Sequence, residues 1–120
     1  MNIFLACPVR GVSDDYRVSI EAQVAHLESL GHKVHYPPRD TEQSDPTGLQ
    51  ICRDNADAIK LSDVVYVIWD GKSRGVLFDL GVAFALQKRI RTVAGGMPAV
   101  SPGKSFQNMI FAWEELTNPW

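Results

Sequence analysis

The chain alternates between short apolar runs and longer segments in which apolar residues recur at helical spacing. Runs rich in Val and Ile predict strands at 2–6, 34–36, 64–69 and 90–94. Spacings of three and four residues between apolar positions predict a helix after each of them. The run 64–69 is apolar at every position, which is typical of a parallel strand buried on both faces.

The predicted order βαβαβαβα indicates an α/β fold. We expect a Rossmann-like or flavodoxin-like parallel sheet of four to five strands, with helices on both faces. Residues 39–50 form the most polar stretch and predict a surface loop that leads into a helix near Asp45-Pro46. The last helix is predicted to begin at Lys104 or Ser105 and to end at Asn118-Pro119.

Length and composition predict one domain over residues 1–120. The chain has 120 residues, of which 45% are hydrophobic, so a single core is feasible, and a dimer interface would add buried surface. The formal net charge of -2 gives no electrostatic footprint for a nucleic acid polymer or an anionic membrane. A nucleotide bound in a local pocket stays possible.

Cysteine usage and the absence of signal-like segments predict a cytoplasmic protein. Cys7 and Cys52 form no CxxC pattern and are expected to be reduced thiols. The N-terminus is apolar for only a few residues and predicts a first strand, not a signal peptide. No His, Cys, Asp and Glu cluster has metal-ligand spacing, and neither GxGxxG nor a Walker motif occurs, so we expect no metal and no cofactor.

In a parallel α/β sheet, ligands bind at the carboxyl ends of the strands, here residues 7–11, 37–40 and 70–79. Ser73 and Gly75 precede a predicted helix, where backbone amides and a hydroxyl can hold phosphate. The alternative is a plain turn at Asp70-Gly71 with Ser73 as the helix cap. Arg10 is either an anion ligand or an ordinary surface residue.

Asp79 is an acid among apolar neighbours, which is uncommon unless the acid is paired or catalytic. The alternative is a first-turn aspartate that points to solvent. Asp54, Asn55 and Asp57, on the preceding helix, contact either a sugar or only water. Cys7 has no recognisable histidine partner, which argues against a cysteine nucleophile.

These segments together resemble the nucleoside 2-deoxyribosyltransferase superfamily, including its 2'-deoxynucleoside 5'-phosphate N-hydrolase branch. The resemblance lies in IFLACPVRG, DNADAIKLSD and VVYVIW, and it is strongest in SRGVLFDLGVAFAL. It implies a nucleoside deoxyribosyltransferase-like domain that cleaves or transfers an N-glycosidic bond. A carboxylate nucleophile would form a glycosyl-enzyme ester, which water or a second base then resolves.

The resemblance also implies site residues. Asp79 occupies the position of the family's glutamate nucleophile and is one methylene shorter. Asn55, with Asp54 beside it, occupies the position of a helix aspartate that orients the sugar and moves protons; asparagine cannot act as a base. These three are the candidate catalytic residues.

Substrate-binding candidates follow from the same resemblance. Arg10, Gly11, Ser73 and Gly75 match phosphate contacts, which favours a 5'-monophosphate, and Asp70 would hold the ribose or a water. Family members assemble as dimers or higher oligomers, in which a neighbour's C-terminal region, here 105–108, completes the pocket. The full set of expected substrate ligands is Cys7, Pro8, Arg10, Gly11, Asp70, Ser73, Gly75 and Asn108.

Two other classes of function stay open at this point. The replacements at Asn55 and Asp79 are compatible with a nucleotide sensor that kept the pocket and lost the chemistry. A structural protein with a decayed pocket would show neither ligand binding nor turnover. Tyr36 and Trp69 either stack on a base or belong to the core.

Overall fold

The computed structural model describes residues 1–118 and shows four parallel strands and five helices. In chain order, the elements are β1 (Asn2–Ala6), α1 (Asp14–Ser29), β2 (Lys33–His35), α2 (Pro37–Asp40), α3 (Leu49–Leu61), β3 (Val64–Val67), α4 (Arg74–Ala85), β4 (Arg89–Thr92) and α5 (Phe106–Thr117). The strand order β2-β1-β3-β4 confirms the predicted parallel α/β fold. Pro119, part of the predicted end of the last helix, lies outside the described residues.

Alternation along the strands explains why helices cover both faces of the sheet. Phe4 and Val65 point to the face covered by α3, α4 and α5, whereas Ile3 and Val64 point to the face covered by α1. The central strand is therefore apolar at every position because both of its faces are buried. The ladder continues past β3, since Ile68 N donates to Ala6 O at 2.9 Å.

Helix α3 begins later than predicted. Its N-terminal cap is Gly48, with a φ of +84°, and not Asp45. Asp45 instead reaches back, since its Oδ2 accepts from Gln50 N at 2.7 Å. As a result Leu49, the first residue of α3, is 57% exposed.

The outer edge of β4 is covered by side chains of the C-terminal helix. Ile90 N donates to Thr117 Oγ1 at 3.3 Å, and Thr92 N donates to a carboxylate oxygen of Glu114. Asn118 Nδ2 donates to Ile90 O. These bonds satisfy the backbone groups of an edge strand, which would otherwise be open to pairing with another chain.

Two further structural findings concern residues 1–118. None of their helices has the length and apolar character needed to cross a membrane. No group of three or more His, Cys, Asp or Glu side chains in this part of the chain is arranged to hold a metal ion.

Candidate functional site

A cavity of about 590 Å³ opens at the carboxyl ends of β1 and β3. The chain passes from β1 to β2 on one side and reaches β3 on the other, and this reversal of strand order leaves a crevice in which α/β proteins bind ligands. The volume is in the range of small-molecule sites. Eight of the predicted site residues line it: Cys7, Arg10, Gly11, Asn55, Asp70, Ser73, Gly75 and Asp79.

The other three predicted residues do not line this cavity. Pro8 is buried beside Cys7, and Asp54 accepts a hydrogen bond from Gln50 Nε2 at 2.8 Å. Asn108 joins α5 to the loop before it, since Nδ2 donates to Gly103 O at 2.8 Å and to Ser101 O. Their roles in ligand binding stay predictions.

Asp79 lies on the buried face of α4, together with Val76, Leu80 and Ala83. These spacings of three and four residues direct all of them toward the sheet. The side chain of Asp79 is 8% exposed, so its interpretation as a solvent-facing first-turn aspartate is wrong. Burial raises the pKa of Asp79 to about 7, because a charged carboxylate is costly away from water.

Neutral groups stabilise this carboxyl. Asn55, 6% exposed on α3, donates from Nδ2 to Asp79 Oδ2 at 3.5 Å, which opposes the rise in the pKa of Asp79. Asn55 Oδ1 accepts from Thr41 Oγ1 at 2.7 Å. Asp79 takes part in none of the ion pairs found within residues 1–118.

Cys7 lines the cavity but is not activated. It is 5% exposed, and burial, followed by the nearby charge of Asp79, raises the pKa of the Cys7 thiol to about 12. A thiol with this pKa carries almost no thiolate at neutral pH. The structure therefore agrees with the sequence argument against a cysteine nucleophile.

The loop before α4 forms the mouth of the cavity. Asp70 Oδ1 accepts from the backbone N–H groups of Lys72 and Ser73, both at 2.8 Å, and Gly71 supplies the φ of +80° that this turn requires. Ser73 Oγ caps α4 by accepting from Val76 N at 3.4 Å. The turn at Asp70-Gly71 and the cap at Ser73 are therefore both present, and a phosphate contact from Ser73 stays a prediction. The Ser73 oxygen acts only as an acceptor in the cap, so its hydroxyl proton can still be donated to an anion.

Three cations surround the mouth: Arg10, Lys72 and Arg74. Of the three, only Arg10 was predicted from the sequence, since isolated basic residues in a polar loop look like ordinary surface positions. The position of Lys72 and Arg74 directly beside Ser73 was the available signal for those two residues. With the amides at the N-terminus of α4, they make this part of the cavity suited to an anion.

The prediction that residues 39–50 form a surface loop is wrong at its start, where residues 39–40 belong to α2 and Thr41 is buried. Helix α2 folds the chain back directly after β2, and Thr41 behind it is 5% exposed. Gln43 also lines the cavity, and its Nε2 donates to Pro37 O at 2.9 Å and to Thr41 O at 3.1 Å. No spacing in the sequence pointed to either residue.

The aromatic residue at the cavity is Phe78, which is 53% exposed. Tyr36 and Trp69 are core residues, at 4% and 5% exposure. The Trp69 indole N–H donates a hydrogen bond to Ser73 O at 3.0 Å. Phe78 directly precedes Asp79 in the segment SRGVLFDLGVAFAL, in which the resemblance is strongest. The cavity thus combines a buried carboxyl, an anion-binding mouth and an exposed ring.

Comparisons with known proteins agree with this geometry. The model of the nucleoside 2-deoxyribosyltransferase family matches residues 3–106. No curated protein matches the chain. The structure is similar to the CMP N-glycosidase of Clostridium botulinum, with a TM-score of 0.65 and 21% identity over 98% of this chain and 84% of that one.

It is also similar to the 2-deoxyribosyltransferase of the psychrotolerant bacterium Bacillus psychrosaccharolyticus. That TM-score is 0.66, with 23% identity over 98% of this chain and 91% of that one. At these identities the two structures show a shared fold. Because the family model matches residues 3–106 of 120, the chain belongs to the nucleoside 2-deoxyribosyltransferase family.

Proposed function

We propose that this protein cleaves or transfers the N-glycosidic bond of a nucleoside 5'-monophosphate or a nucleoside, with Asp79 as the nucleophile. The observation that carries the proposal is the buried carboxyl of Asp79, which lines a cavity with a cationic mouth and has an amide as its partner. Membership of the family supports the reaction class.

In the first step, a carboxylate oxygen of Asp79 attacks the anomeric carbon of the sugar. A C–O ester bond forms while the C–N bond breaks, and the electron pair of that bond leaves with the base, which takes a proton from water. In the second step, water attacks the same carbon, the electron pair of the ester C–O bond returns to Asp79, and a proton leaves to solvent. A second base in place of water gives transfer.

The acidity of Asp79 suits this chemistry at neutral pH. Because burial raises the pKa of Asp79 to about 7, a large part of the carboxyl is ionised near neutrality, and the carboxylate has little water to shed before attack. The rate of base release should therefore rise with pH through about 7 and level off above it.

The mouth supports a 5'-monophosphate as the preferred substrate. Arg10, Lys72 and Arg74 supply positive charge, while Ser73 and the amide of Gly75 supply donors. Asp70 uses Oδ1 to hold its own turn, and Oδ2 would accept from a ribose hydroxyl or a water. Phe78 would stack on the base.

The second candidate function is a nucleotide-binding sensor that has lost the chemistry. Asn55 favours it, because an amide holds a sugar hydroxyl or the carboxyl of Asp79 but neither gives nor takes a proton. Its signature is nucleotide binding without release of a base.

We further propose a cytoplasmic homodimer or higher homo-oligomer. Apolar side chains are exposed on two helices, Phe84 on α4 with Phe106, Met109 and Leu116 on α5. Sedimentation velocity at several protein concentrations tests the assembly, and a monomer at all of them would contradict it.

The function is tested by chromatography of the protein after incubation with a panel of ribo- and deoxynucleosides and their 5'-monophosphates, with and without a second free base. We expect base release, or base exchange for a transferase, with the wild-type protein. Asp79→Asn should lower either rate on the order of 10³-fold or more, as loss of a nucleophile does. Asp57, which the sequence left open as a sugar contact, is exposed on α3 and is not among the residues that line the cavity. Asp57→Asn is therefore the matched control and should keep full activity.

Three outcomes separate the candidates. Release or exchange that depends on Asp79 supports the enzyme. An unchanged rate in a folded Asp79→Asn variant removes Asp79 from the mechanism. A thermal shift with nucleotides but no product across the panel supports the sensor.

A further inference from the structure

We propose that Thr41 is a positioning residue for the Asp79 carboxylate and acts through the Asn55 amide. The inference rests on the proposed role of Asp79 and adds residues that the family comparison does not assign. Thr41, Asn55 and Asp79 are 5%, 6% and 8% exposed, so their polar atoms depend on one another and not on bulk water.

The hydrogen bonds form a continuous chain across three elements. His35 Nε2 at the end of β2 lies 2.8 Å from Thr41 Oγ1. Thr41 Oγ1 donates to Asn55 Oδ1 at 2.7 Å, and Asn55 Nδ2 donates to Asp79 Oδ2 at 3.5 Å. The chain connects the half-buried His35 with the carboxyl in the cavity.

The direction of the chain follows from the placement of the Asn55 amide, whose Nδ2 faces Asp79 and whose Oδ1 faces Thr41. The Thr41 hydroxyl has one proton, and donating it to Asn55 leaves the Thr41 oxygen as the acceptor for His35. His35 must therefore carry its proton on Nε2. Burial lowers the pKa of His35, which keeps the ring neutral near pH 7. A neutral ring carries its proton on either Nδ1 or Nε2, so the two directions of the chain require different tautomers.

The Thr41 hydroxyl holds the Asn55 amide in this orientation. With Oδ1 held by Thr41, the NH₂ group is the end that meets the carboxylate. In the flipped amide, Oδ1 would face the carboxylate oxygens of Asp79, and two acceptors would repel each other. Thr41 thus favours the ionised, oriented form of Asp79 that attack requires.

Other titratable or charged groups face the two ends of the hydrogen-bond chain. Around Asp79, the cavity presents Cys7, Arg10, Asp70, Lys72 and Arg74, and around His35 the charged groups are Arg39, Asp40 and Asp54. Replacing Thr41 changes none of these residues. A change in the titration of Asp79 in Thr41 variants therefore reports on the hydrogen-bond chain.

The test is a carbon-13 NMR titration of the aspartate carboxyl groups, with the Asp79 signal assigned by its loss in Asp79→Asn. In Thr41→Val, which keeps the shape and removes the hydroxyl, the midpoint of Asp79 should rise by about 0.5 to 1 pH unit, as expected for one weakened hydrogen bond. Thr41→Ser, which keeps the hydroxyl, should titrate as the wild type does. With a turned-over substrate, kcat of Thr41→Val below pH 7 should fall about three- to tenfold, with KM unchanged.

An unshifted midpoint in a folded Thr41→Val protein, or an equal shift in Thr41→Ser, would overturn the proposal. The tautomer of His35, read from its ring nitrogen-15 shifts in the unmodified protein, tests it without any variant. We expect Nε2–H, and a neutral ring with Nδ1–H would reverse the chain and contradict the proposal. Both readouts are independent of catalysis, so they stand even if no base is released.

Discussion

Asp40, after β2, and Asp79, after β3, are the same residue type in opposite surroundings. Arg39 donates to both oxygens of Asp40, at 2.8 and 2.9 Å, and Tyr36 N adds a bond at 2.8 Å. These bonds, the one from Arg39 foremost, lower the pKa of Asp40. Within residues 1–118, the partner of the Asp79 carboxyl is the amide of Asn55, and burial raises the pKa of Asp79 to about 7.

The difference shows how surroundings separate a structural carboxylate from a reactive one. Asp40 is ionised at all ordinary pH values, and its lone pairs are held by donors that fix α2. Asp79 is poised between two protonation states inside a cavity, and it keeps lone pairs that can attack. A carboxyl that is buried without a cation destabilises the folded state in its charged form, a pattern that is common at catalytic sites.

The largest expected effect is on the pH dependence of stability. The folded-state pKa of Asp79, about 7, lies above the ordinary value of 3.8, so the folded protein binds a proton that the unfolded chain releases. Stability contributed by this group is present at low pH and is lost as pH rises from about 4 to about 7. Asp79→Asn should therefore unfold at higher denaturant concentration, with an advantage of up to roughly 4 kcal/mol above pH 7.

Urea unfolding at pH 5 and pH 8 measures this advantage. Asp40→Asn is the matched comparison and should show the opposite sign, because Asp40 has a lowered pKa and stabilises the folded state when ionised. If Asp79→Asn is less stable than the wild type at pH 8, the buried carboxyl is not a destabilising charge.

A second variant tests whether base release is slow because Asn55 cannot transfer protons. Asn55→Asp places a carboxyl beside Asp79 that, when protonated, replaces the amide as the donor to Asp79, can pass its proton on, and still accepts from Thr41. We expect base release to increase about tenfold or more at neutral pH, as for an added general acid or base. Asn55→Leu is the control, because it removes the amide without adding a group that transfers protons. A rate of base release unchanged by Asn55→Asp would show that water moves the protons.

The cationic mouth gives a smaller, substrate-dependent effect. Arg10→Ala should raise KM for a nucleoside 5'-monophosphate about tenfold, which corresponds to one lost charge-assisted contact, and leave KM for the free nucleoside unchanged. Arg53→Ala, an exposed arginine on α3, serves as the control. Equal changes for both substrates would place Arg10 away from the phosphate.

The smallest expected effect concerns the first turn of α4. Gly75→Ala should stabilise the helix by up to about 1 kcal/mol, since a Cβ there meets Ser73 Oγ only at 4.0 Å. Gly81→Ala, in the same helix with open space around it, should stabilise similarly. Only Gly75→Ala should weaken phosphate binding, measured by calorimetry with inorganic phosphate, and equal binding in both variants would remove Gly75 from the site.

The sequence was sufficient for the fold because each buried strand and helix carries its own periodic signal. The family resemblance also identified Asp79 and Asn55 as residues of one site, and both line the cavity. Thr41 escaped prediction because its burial depends on the single turn of α2, and its contact with Asn55 joins segments with no shared periodicity. The late start of α3 at Gly48 was missed because Asp45-Pro46 is itself a good helix-start signal.

The central claim is that Asp79 forms a covalent bond to the sugar. The direct measurement is the mass of the intact protein after reaction with a 2'-fluorinated arabinonucleoside 5'-monophosphate, since fluorine slows breakdown of a glycosyl ester. The account predicts an added mass equal to the fluorinated sugar phosphate, located on the peptide that contains Asp79 and absent in Asp79→Asn. Release of the base with the protein mass unchanged, or an adduct on another residue, would contradict it.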